Sequence, residues 1–293
     1  MTRVAIVTGA ARGIGAATAR RLAADGMAVA VLDLSAQHCE GVVSDIHAAG
    51  GRALAVGADV SNEGSVAEAV AATAELLGPP TVLVNNAGIL RDRMMANMSE
   101  EEWDAVIKVH LKGTFAPSRM AAAYWRDRQK AGHPVDGRII NTSSVSGIYG
   151  NIGQTNYGAA KAGIAAFTTI ASLELARYGV TVNAVAPVAL TRMTENLGPA
   201  PETEEEREQR SPKWIAPIVT WLASAESKDI TGRVFEASGQ VLAIAEGWHR
   251  GPTHAPVEDP TALGPVVEEL MSKARLNAGM DGRDGTWPQP QKK

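Results

Sequence analysis

The stretch Arg3-Val4-Ala5-Ile6-Val7-Thr8-Gly9-Ala10-Ala11-Arg12-Gly13-Ile14-Gly15 reads as a buried strand, a glycine turn and the start of a helix. Arg3 to Thr8 is a short β-branched run, and an Ala/Arg helix follows the turn to about Asp25. Glycines permit positive φ and close backbone approach, and a helix N-terminus offers unpaired N–H groups to an anion. In this context Gly9, Arg12, Gly13, Ile14 and Gly15 form a candidate dinucleotide-phosphate site. The spacing is G-x-x-x-G-x-G rather than G-x-G-x-x-G, and a tight turn would need glycines in any case.

Working outward, Ala28 to Leu32 is a second strand ending in Asp33. A carboxylate there accepts hydrogen bonds from a ribose 2′-OH and repels a 2′-phosphate, which favours NAD over NADP. Leu34 and Ser35 follow with no basic residue, although Arg12 is a cation in the glycine loop. Asp33 or Ser35 would equally serve as a helix cap. A helix over 35–50, a strand over 52–57, the pair Asp59-Val60 and a helix over 63–77 come next. Asp59 could meet an adenine amino group or cap the following helix. Thr81 to Val84 is a fourth strand, ended by Asn85-Asn86-Ala87-Gly88, whose amides can brace backbone while Ala and Gly leave room for a flat ring. Ser99 and Glu102 form a capping box for one long helix over about 99–130, along which Val106, Val109, His110 and Gly113 recur at helical spacing.

A second decisive stretch begins at the strand Arg138 to Thr142, which delivers Ser143 and Ser144 to its end. A glycine-rich loop then leads to Tyr157 and Lys161, four residues apart on an Ala-rich helix running to about Arg177. That spacing places phenol and ammonium on one helix face. A free tyrosine titrates near ~10, and a nearby cation favours the phenolate. Lowering that value by ~3 units takes ~4 kcal/mol of differential stabilisation. A tyrosine so tuned exchanges protons with a carbonyl or an alcohol near neutrality, and a serine hydroxyl can hold the same oxygen. Such a site has no hydride of its own and requires a nicotinamide. Taken alone, Tyr-x-x-x-Lys is also what a half-buried Tyr beside a solvated Lys looks like.

Later, Thr181 to Ala186 is a strand ended by Pro187, and 199–210 is a charged, Pro-flanked, solvated and mobile segment. Ser211-Pro212 starts a helix to about Ala225, and 233–237 is a seventh strand. From Ala245 the composition turns to Gly, Pro and His, with a helix over 263–276 and a Pro-rich end. The expectation is an α/β fold: one Rossmann-type, doubly wound parallel sheet of about seven strands over residues 1–245. Residues 246–293 would be a C-terminal extension packed on the body or on a partner subunit.

Composition narrows the class. The 293 residues carry a net charge of -4, so neither a nucleic-acid footprint nor a polybasic membrane patch is expected. One cysteine, Cys39, excludes an internal disulfide and fits a reducing compartment. The six histidines lack metal-ligand spacing, no run approaches a membrane span, and no signal-peptide pattern precedes the first strand. A cytoplasmic enzyme without a metal is expected.

Together these residues resemble the short-chain dehydrogenase/reductase family. The matches are T-G-A-A-R-G-I-G at 8–15, Asp59-Val60, N-N-A-G at 85–88, Ser144, Y-G-A-A-K at 157–161 and V-N-A-V-A-P at 182–187, covering about residues 3–245. The resemblance implies Tyr157 as acid/base, Lys161 lowering its pKa and holding the nicotinamide ribose, and Ser144 orienting the substrate oxygen. It implies NAD contacts by Asp33, Leu34, Asp59, Val60, Asn86, Ala87, Gly88, Val109, Tyr157, Lys161, Pro187, Val188 and Thr191. It further implies a homodimer or homotetramer built through the helices near 99–130 and 155–178. Three departures stand out. His110 replaces the family's usual Asn, which feeds a water relay to the lysine; Val188 replaces a Gly, with a segment to Thr191 one residue short; Ser238-Gly239 replaces Gly-Gly.

The runs N-N-A-G-I-L-R-D-R, V-H-L-K-G-T-F at 109–115 and S-G-I-Y-G-N-I-G-Q-T-N-Y at 146–157 are similar to the (3R)-hydroxyacyl-CoA dehydrogenase unit of peroxisomal multifunctional enzyme type 2 and related actinobacterial dehydrogenases. That likeness implies NAD-dependent oxidation of a 3-hydroxyacyl-CoA, a steroid side-chain thioester included. Arg91 and Arg93 would then meet CoA phosphates or be plain surface arginines, while the N-N-A-G loop, Met94, Met95 and 188–210 would line an adaptable acyl pocket. The alternatives are a hydroxysteroid dehydrogenase, a 3-oxoacyl-carrier-protein reductase, against which Asp33 speaks, and a non-catalytic NAD-binding protein.

Overall fold

A computed structural model describes residues 2–195 and 200–285. Strand β1 (Val4–Thr8) leads through the glycine turn into α1 (Gly13–Ala24), followed by β2 (Ala28–Asp33), α2 (Ala36–Ala48), β3 (Arg52–Gly57), α3 (Glu63–Leu76) and β4 (Val82–Asn85). Helices α4 (Glu100–Ile107) and α5 (Gly113–Lys130) come before β5 (Gly137–Thr142), α6 (Val145–Tyr149), α7 (Thr155–Leu175) and β6 (Val180–Pro187). Helices α8 (Glu204–Gln209) and α9 (Ala216–Ala223) and strands β7 (Val234–Ala237) and β8 (Leu242–Ala245) complete this unit.

The strands form one sheet in the order β3-β2-β1-β4-β5-β6-β7-β8, parallel except for the last pair. Every residue of β1 and β4 is buried, which is why these strands read as unbroken apolar runs. Side chains alternate across the sheet. Ala5 and Val7 join Leu22, Ile46 and Leu222 on one side, while Ile6 joins Leu83, Trp125, Ile139 and Val182 on the other. Strand order reverses between β1 and β4, so the crevice opens where their C-terminal ends part.

The structure departs from the sequence reading in four places. The sheet has eight strands rather than seven, because a turn at Ser238, whose hydroxyl accepts from the Gln240 and Val241 N–H groups at 3.1 and 3.0 Å and whose own N–H donates to the Val241 carbonyl at 2.9 Å, lets Leu242–Ala245 fold back antiparallel on β7. Four residues between a turn and a polar tail carry too little pattern to announce a strand. The single helix expected over 99–130 is interrupted by a π-helical turn, Lys108–Lys112, between α4 and α5. Gly113 follows it in tight contact with Val60, and Pro117 in α5 lacks the N–H that an α-helix would use there. The charged segment is exposed as expected, yet part of it forms α8, capped by the Thr203 hydroxyl on the Glu206 N–H at 3.1 Å; 196–199 lie outside the described residues. Finally, Thr155–Tyr178 is by length and composition apolar enough for a membrane span. It also buries Asn156, Lys161, Thr168 and Ser172, the polar contents of a helix packed inside a protein.

The chain divides into units 1–245 and 246–293. Within the second, α10 (Leu263–Lys273) is preceded by a 3-10 turn, and Arg275 pairs with Asp284 at 3.1 Å and Glu246 at 3.7 Å. The Pro-rich end from 286 lies outside the described residues.

Candidate active site

The glycine turn is built for close approach. Gly9 and Gly13 have φ of 62° and 57°. A Cβ on Gly15 would stand 2.3 Å from the Gly9 carbonyl oxygen and 2.6 Å from Asn86 Nδ2. Arg12 occupies the N-cap position of α1 with no side-chain cap, and the first turn holds no acidic residue, so that N-terminus is open to an anion. Asn86 braces the turn from β4, its Nδ2 donating to the carbonyls of Thr8 (3.1 Å) and Gly9 (3.2 Å). The Thr8 hydroxyl accepts from the N–H groups of Asn86 and Ala87 at 2.9 and 3.1 Å. Thr191 also arrives here, its methyl 3.5 Å from where a Gly13 Cβ would be.

Asp33, at the end of β2, is no helix cap: its Oδ2 accepts from the Ala11 N–H at 3.2 Å and its Oδ1 from the Leu34 N–H at 2.9 Å. The carboxylate is thereby tied to the glycine loop at the crevice rim, beside an exposed Leu34. Asp59 is a turn residue, Oδ1 accepting from Ser61 N and Oγ at 2.9 and 2.7 Å, which holds its carboxyl below the usual range. The cap of α3 is Asn62. Val60 is buried against Gly113, so its side chain serves the core. Pro187 ends β6, and Val188 donates its N–H to the Ala237 carbonyl at 2.9 Å. These groups fit a dinucleotide: an uncapped helix N-terminus behind glycines, a carboxylate at the neighbouring strand end and small residues at 87–88.

The second half of the site sits at the ends of β4 and β5. The two serines part company here. Ser143 is fully buried and donates to the Lys161 carbonyl at 2.9 Å, while Ser144 caps α6 by accepting from the Ser146 N–H at 3.2 Å. Helix α6 lies directly on α7, for a Cβ on Gly147 would be 2.6 Å from the Ala162 nitrogen. Tyr157 is half-buried; burial pushes its phenol up, the Ser144 hydroxyl draws it back down, and the Asp92 carboxylate raises it. Lys161 is buried, Nζ donating to the Thr142 carbonyl at 2.6 Å and standing 5.5 Å from the Tyr157 ring centroid. Burial lowers this amine to about 7. Lys161 is expected to pull the phenol down; in the structure burial instead raises the phenol and lowers the amine.

His110 comes in from the π turn, 2 % exposed. Its Nε2 lies 2.7 Å from the Ile89 carbonyl and 3.0 Å from the Ile89 N–H, and Nδ1 has no protein partner. Burial, with Lys161 nearby, lowers it to about 3, so it is neutral. Gly88 makes room for the ring: a Cβ there would be 2.4 Å from His110 Cε1. Val109, beside it, is half-buried on the same turn.

Arg93 is committed to Glu102, Nη2 to Oε1 at 2.9 Å, whereas Arg91 donates to its own neighbour's carbonyl, Leu90, at 2.7 Å. Asn156, Gln154 and Asp92, unremarked in the sequence, also gather here. Their signal was an Asn directly before the tyrosine. Among the described residues no group of three or more His, Cys, Asp or Glu is gathered as for a metal ion.

A family model described as short chain dehydrogenase matches residues 3–202. The chain belongs to the short-chain dehydrogenase family. Hydroxyacyl-CoA dehydrogenase ChsB1 of Mycobacterium tuberculosis is 45% identical over 92% of this chain and 89% of that protein. A 3-oxoacyl-[acyl-carrier-protein] reductase of Synechocystis is 44% identical over 82% of this chain and 97% of its own length. The peroxisomal multifunctional enzyme type 2 of Drosophila melanogaster is 38% identical over 97% of this chain but 48% of that longer protein. The crystal structure of a short chain dehydrogenase from Mycobacterium avium superposes with a TM-score of 0.87 and 48% identity, covering 94% of this chain and 97% of that one. This short-chain dehydrogenase is therefore an α/β oxidoreductase acting on CH–OH groups with a nicotinamide cofactor.

Proposed function

We propose that this short-chain dehydrogenase uses NAD to oxidise a 3-hydroxyacyl-CoA, a steroid side-chain thioester among the candidates, to the 3-ketoacyl-CoA. The observation that carries the chemistry is the meeting of Ser144, Tyr157 and Lys161 at one strand end, opposite the glycine turn. Bound NAD supplies the hydride acceptor. Ser144 holds the substrate oxygen. Tyr157 takes the hydroxyl proton as the carbonyl forms, and Lys161 supports the phenolate and passes the proton on. Neutral His110 orders this end of the site through Ile89. Asp33 supports NAD over NADP, since a carboxylate at this strand end accepts from a ribose 2′-OH and repels a 2′-phosphate.

The thioester is supported by the mycobacterial hydroxyacyl-CoA dehydrogenase likeness. Exposed Met94, Met95 and Ile152 offer adaptable apolar surface for an acyl chain, and Arg91, whose hydrogen bond goes to the Leu90 carbonyl, is a loop cation available to a CoA phosphate. Exposed Ile170 and Leu173 on α7 and Phe115 on α5 suit a homodimer or homotetramer formed through those helices. A cytoplasmic site of action goes with this reading.

The test follows NADH formation by purified protein with 3-hydroxyacyl-CoAs of several lengths, a steroid side-chain CoA thioester and free hydroxysteroids. Turnover confined to CoA thioesters supports the proposal; turnover of free steroids alone sinks it. The carrier-protein reductase likeness favours a second reading. Faster reduction of a carrier-protein-bound 3-ketoacyl chain with NADPH than with NADH would establish it.

A further inference from the structure

We propose that Ser143 is a positioning residue for the proton transfer: its buried hydroxyl, by holding the Lys161 carbonyl, fixes the lysine so that its amine reaches the Thr142 carbonyl beside Tyr157. The proposal rests on Lys161 serving Tyr157 as read above.

The strand decides which groups can do this. Side chains alternate across a sheet, so Asn141 and Ser143 share one face of β5, and the side chain of Thr142 between them points to the other. Each of the three bonds to α7. Asn141 donates Nδ2 to Thr168 Oγ1 at 2.9 Å, the Thr142 carbonyl accepts from Lys161 Nζ at 2.6 Å, and Ser143 donates Oγ to the Lys161 carbonyl at 2.9 Å. Two consecutive strand residues therefore grip the two ends of one lysine, its backbone and its amine.

The grip has a firm base. Ser143 is fully buried, and its own N–H donates to the Val185 carbonyl of β6 at 2.8 Å. Asn141, also fully buried, accepts at Oδ1 from Asn85 Nδ2 of β4 at 2.9 Å, and that same Nδ2 donates to Ser118 Oγ of α5 at 2.9 Å. Thr168 passes its hydroxyl to the Ile164 carbonyl at 2.8 Å. One run of buried hydrogen bonds thus joins α5, β4, β5 and α7. From another side α6 closes over the lysine, for a Cβ on Gly147 would stand 2.7 Å from both the Lys161 carbonyl carbon and the Lys161 Cβ.

A carbonyl inside an α-helix already accepts from the N–H four residues on. The Ser143 hydroxyl is therefore a second donor to Lys161, one that α7 does not need in order to form. What it adds is placement. A lysine amine sits on a flexible four-carbon stem, so it is directed only as well as its root is held. Held this way, the amine stands 5.5 Å from the Tyr157 ring centroid. Loss of such alignment slows a reaction even where every reacting group is still present.

The test measures kcat and KM with NAD and whichever of the alcohols named above gives NADH fastest. Ser143→Ala should lower kcat by about tenfold, the worth of one buried hydrogen bond, and leave KM for the alcohol unchanged, because Ser144 is kept. Ser143→Cys has nearly the same shape but is a weak donor, so it should lose as much, and it probes the same bond if Ser143→Ala does not fold. In a Lys161→Met enzyme, followed by single-turnover rates, Ser143→Ala should slow the reaction no further, since the group it positions is gone. A folded Ser143→Cys enzyme with wild-type kcat overturns the proposal. So do equal losses from Ser143→Ala with and without Lys161, and so does a raised KM at unchanged kcat, which would put the effect on Ser144. Full turnover by Lys161→Met would instead overturn the reading of Lys161 beneath the proposal, whatever Ser143 does.

Discussion

The imidazole of His110 stands edge-on to the phenol of Tyr157, with 5.1 Å between ring centroids and 90° between planes. One nitrogen faces Ile89 and the ring fills the space that Gly88 leaves. The family's usual Asn has been exchanged for an aromatic ring that buttresses the tyrosine and, being neutral, adds no charge beside Lys161. Its pKa of about 3 in the folded chain lies below the ~6.5 of the unfolded one. The unfolded state therefore binds the extra proton, and stability from this residue is present above pH ~6.5 and lost as pH falls toward 3. The loss should reach about 2 kcal/mol by pH 5. Urea unfolding at pH 7 and pH 5 measures it, and His110→Asn should show the smaller difference.

Tyr157→Phe removes the proton-exchanging hydroxyl and little else, since the ring keeps its contacts with His110 and Lys161. Turnover should fall by about 10²- to 10⁴-fold, the usual worth of a positioned acid–base group. NAD binding, followed by calorimetry, should be nearly unchanged, because the glycine turn and Asp33 lie at other strand ends.

Asp33 is held at the rim by the N–H groups of Ala11 and Leu34. Asp33→Ser should lower kcat/KM for NAD by about 10- to 100-fold, the value of a charged hydrogen bond. NADP should gain at the same time as the repulsion is lifted. Steady-state kinetics with both cofactors checks this; equal losses with both would show that Asp33 only supports the loop.

Gly15→Ala would drive a Cβ onto the Gly9 carbonyl at 2.3 Å. The Gly9 carbonyl and the Ala10 Cα at 2.9 Å are backbone, so the loop must shift. About 1–3 kcal/mol of stability should be lost, together with most NAD affinity, as thermal unfolding with and without NAD would show. Gly88→Ala should cost a similar amount through displacement of His110, and its signature would be a kcat effect larger than the effect on NAD affinity.

The sequence by itself determined the parallel sheet and both halves of the crevice. Buried strands are apolar throughout, glycine spacing marks a turn that backbone must approach, and Tyr157 and Lys161 share a helix face by simple periodicity. Those signals are local and survive without neighbours. The tertiary structure alone decided the rest, because it depends on what meets what across the fold. The π turn at His110 leads into Gly113, whose backbone lies so close to Val60 that a Cβ would stand 2.7 Å from it, an approach between residues far apart in the chain. Ser143 and Ser144 are the same residue type, and the resemblance alone preferred Ser144; what each hydroxyl does, Ser143 donating to the Lys161 carbonyl and Ser144 left at the head of α6, only the structure decides. The direction of the tyrosine's shift turned on burial, which no spacing reveals, and the start of its helix is tied to the Arg91 carbonyl by a buried asparagine that the sequence shows only as the residue before it.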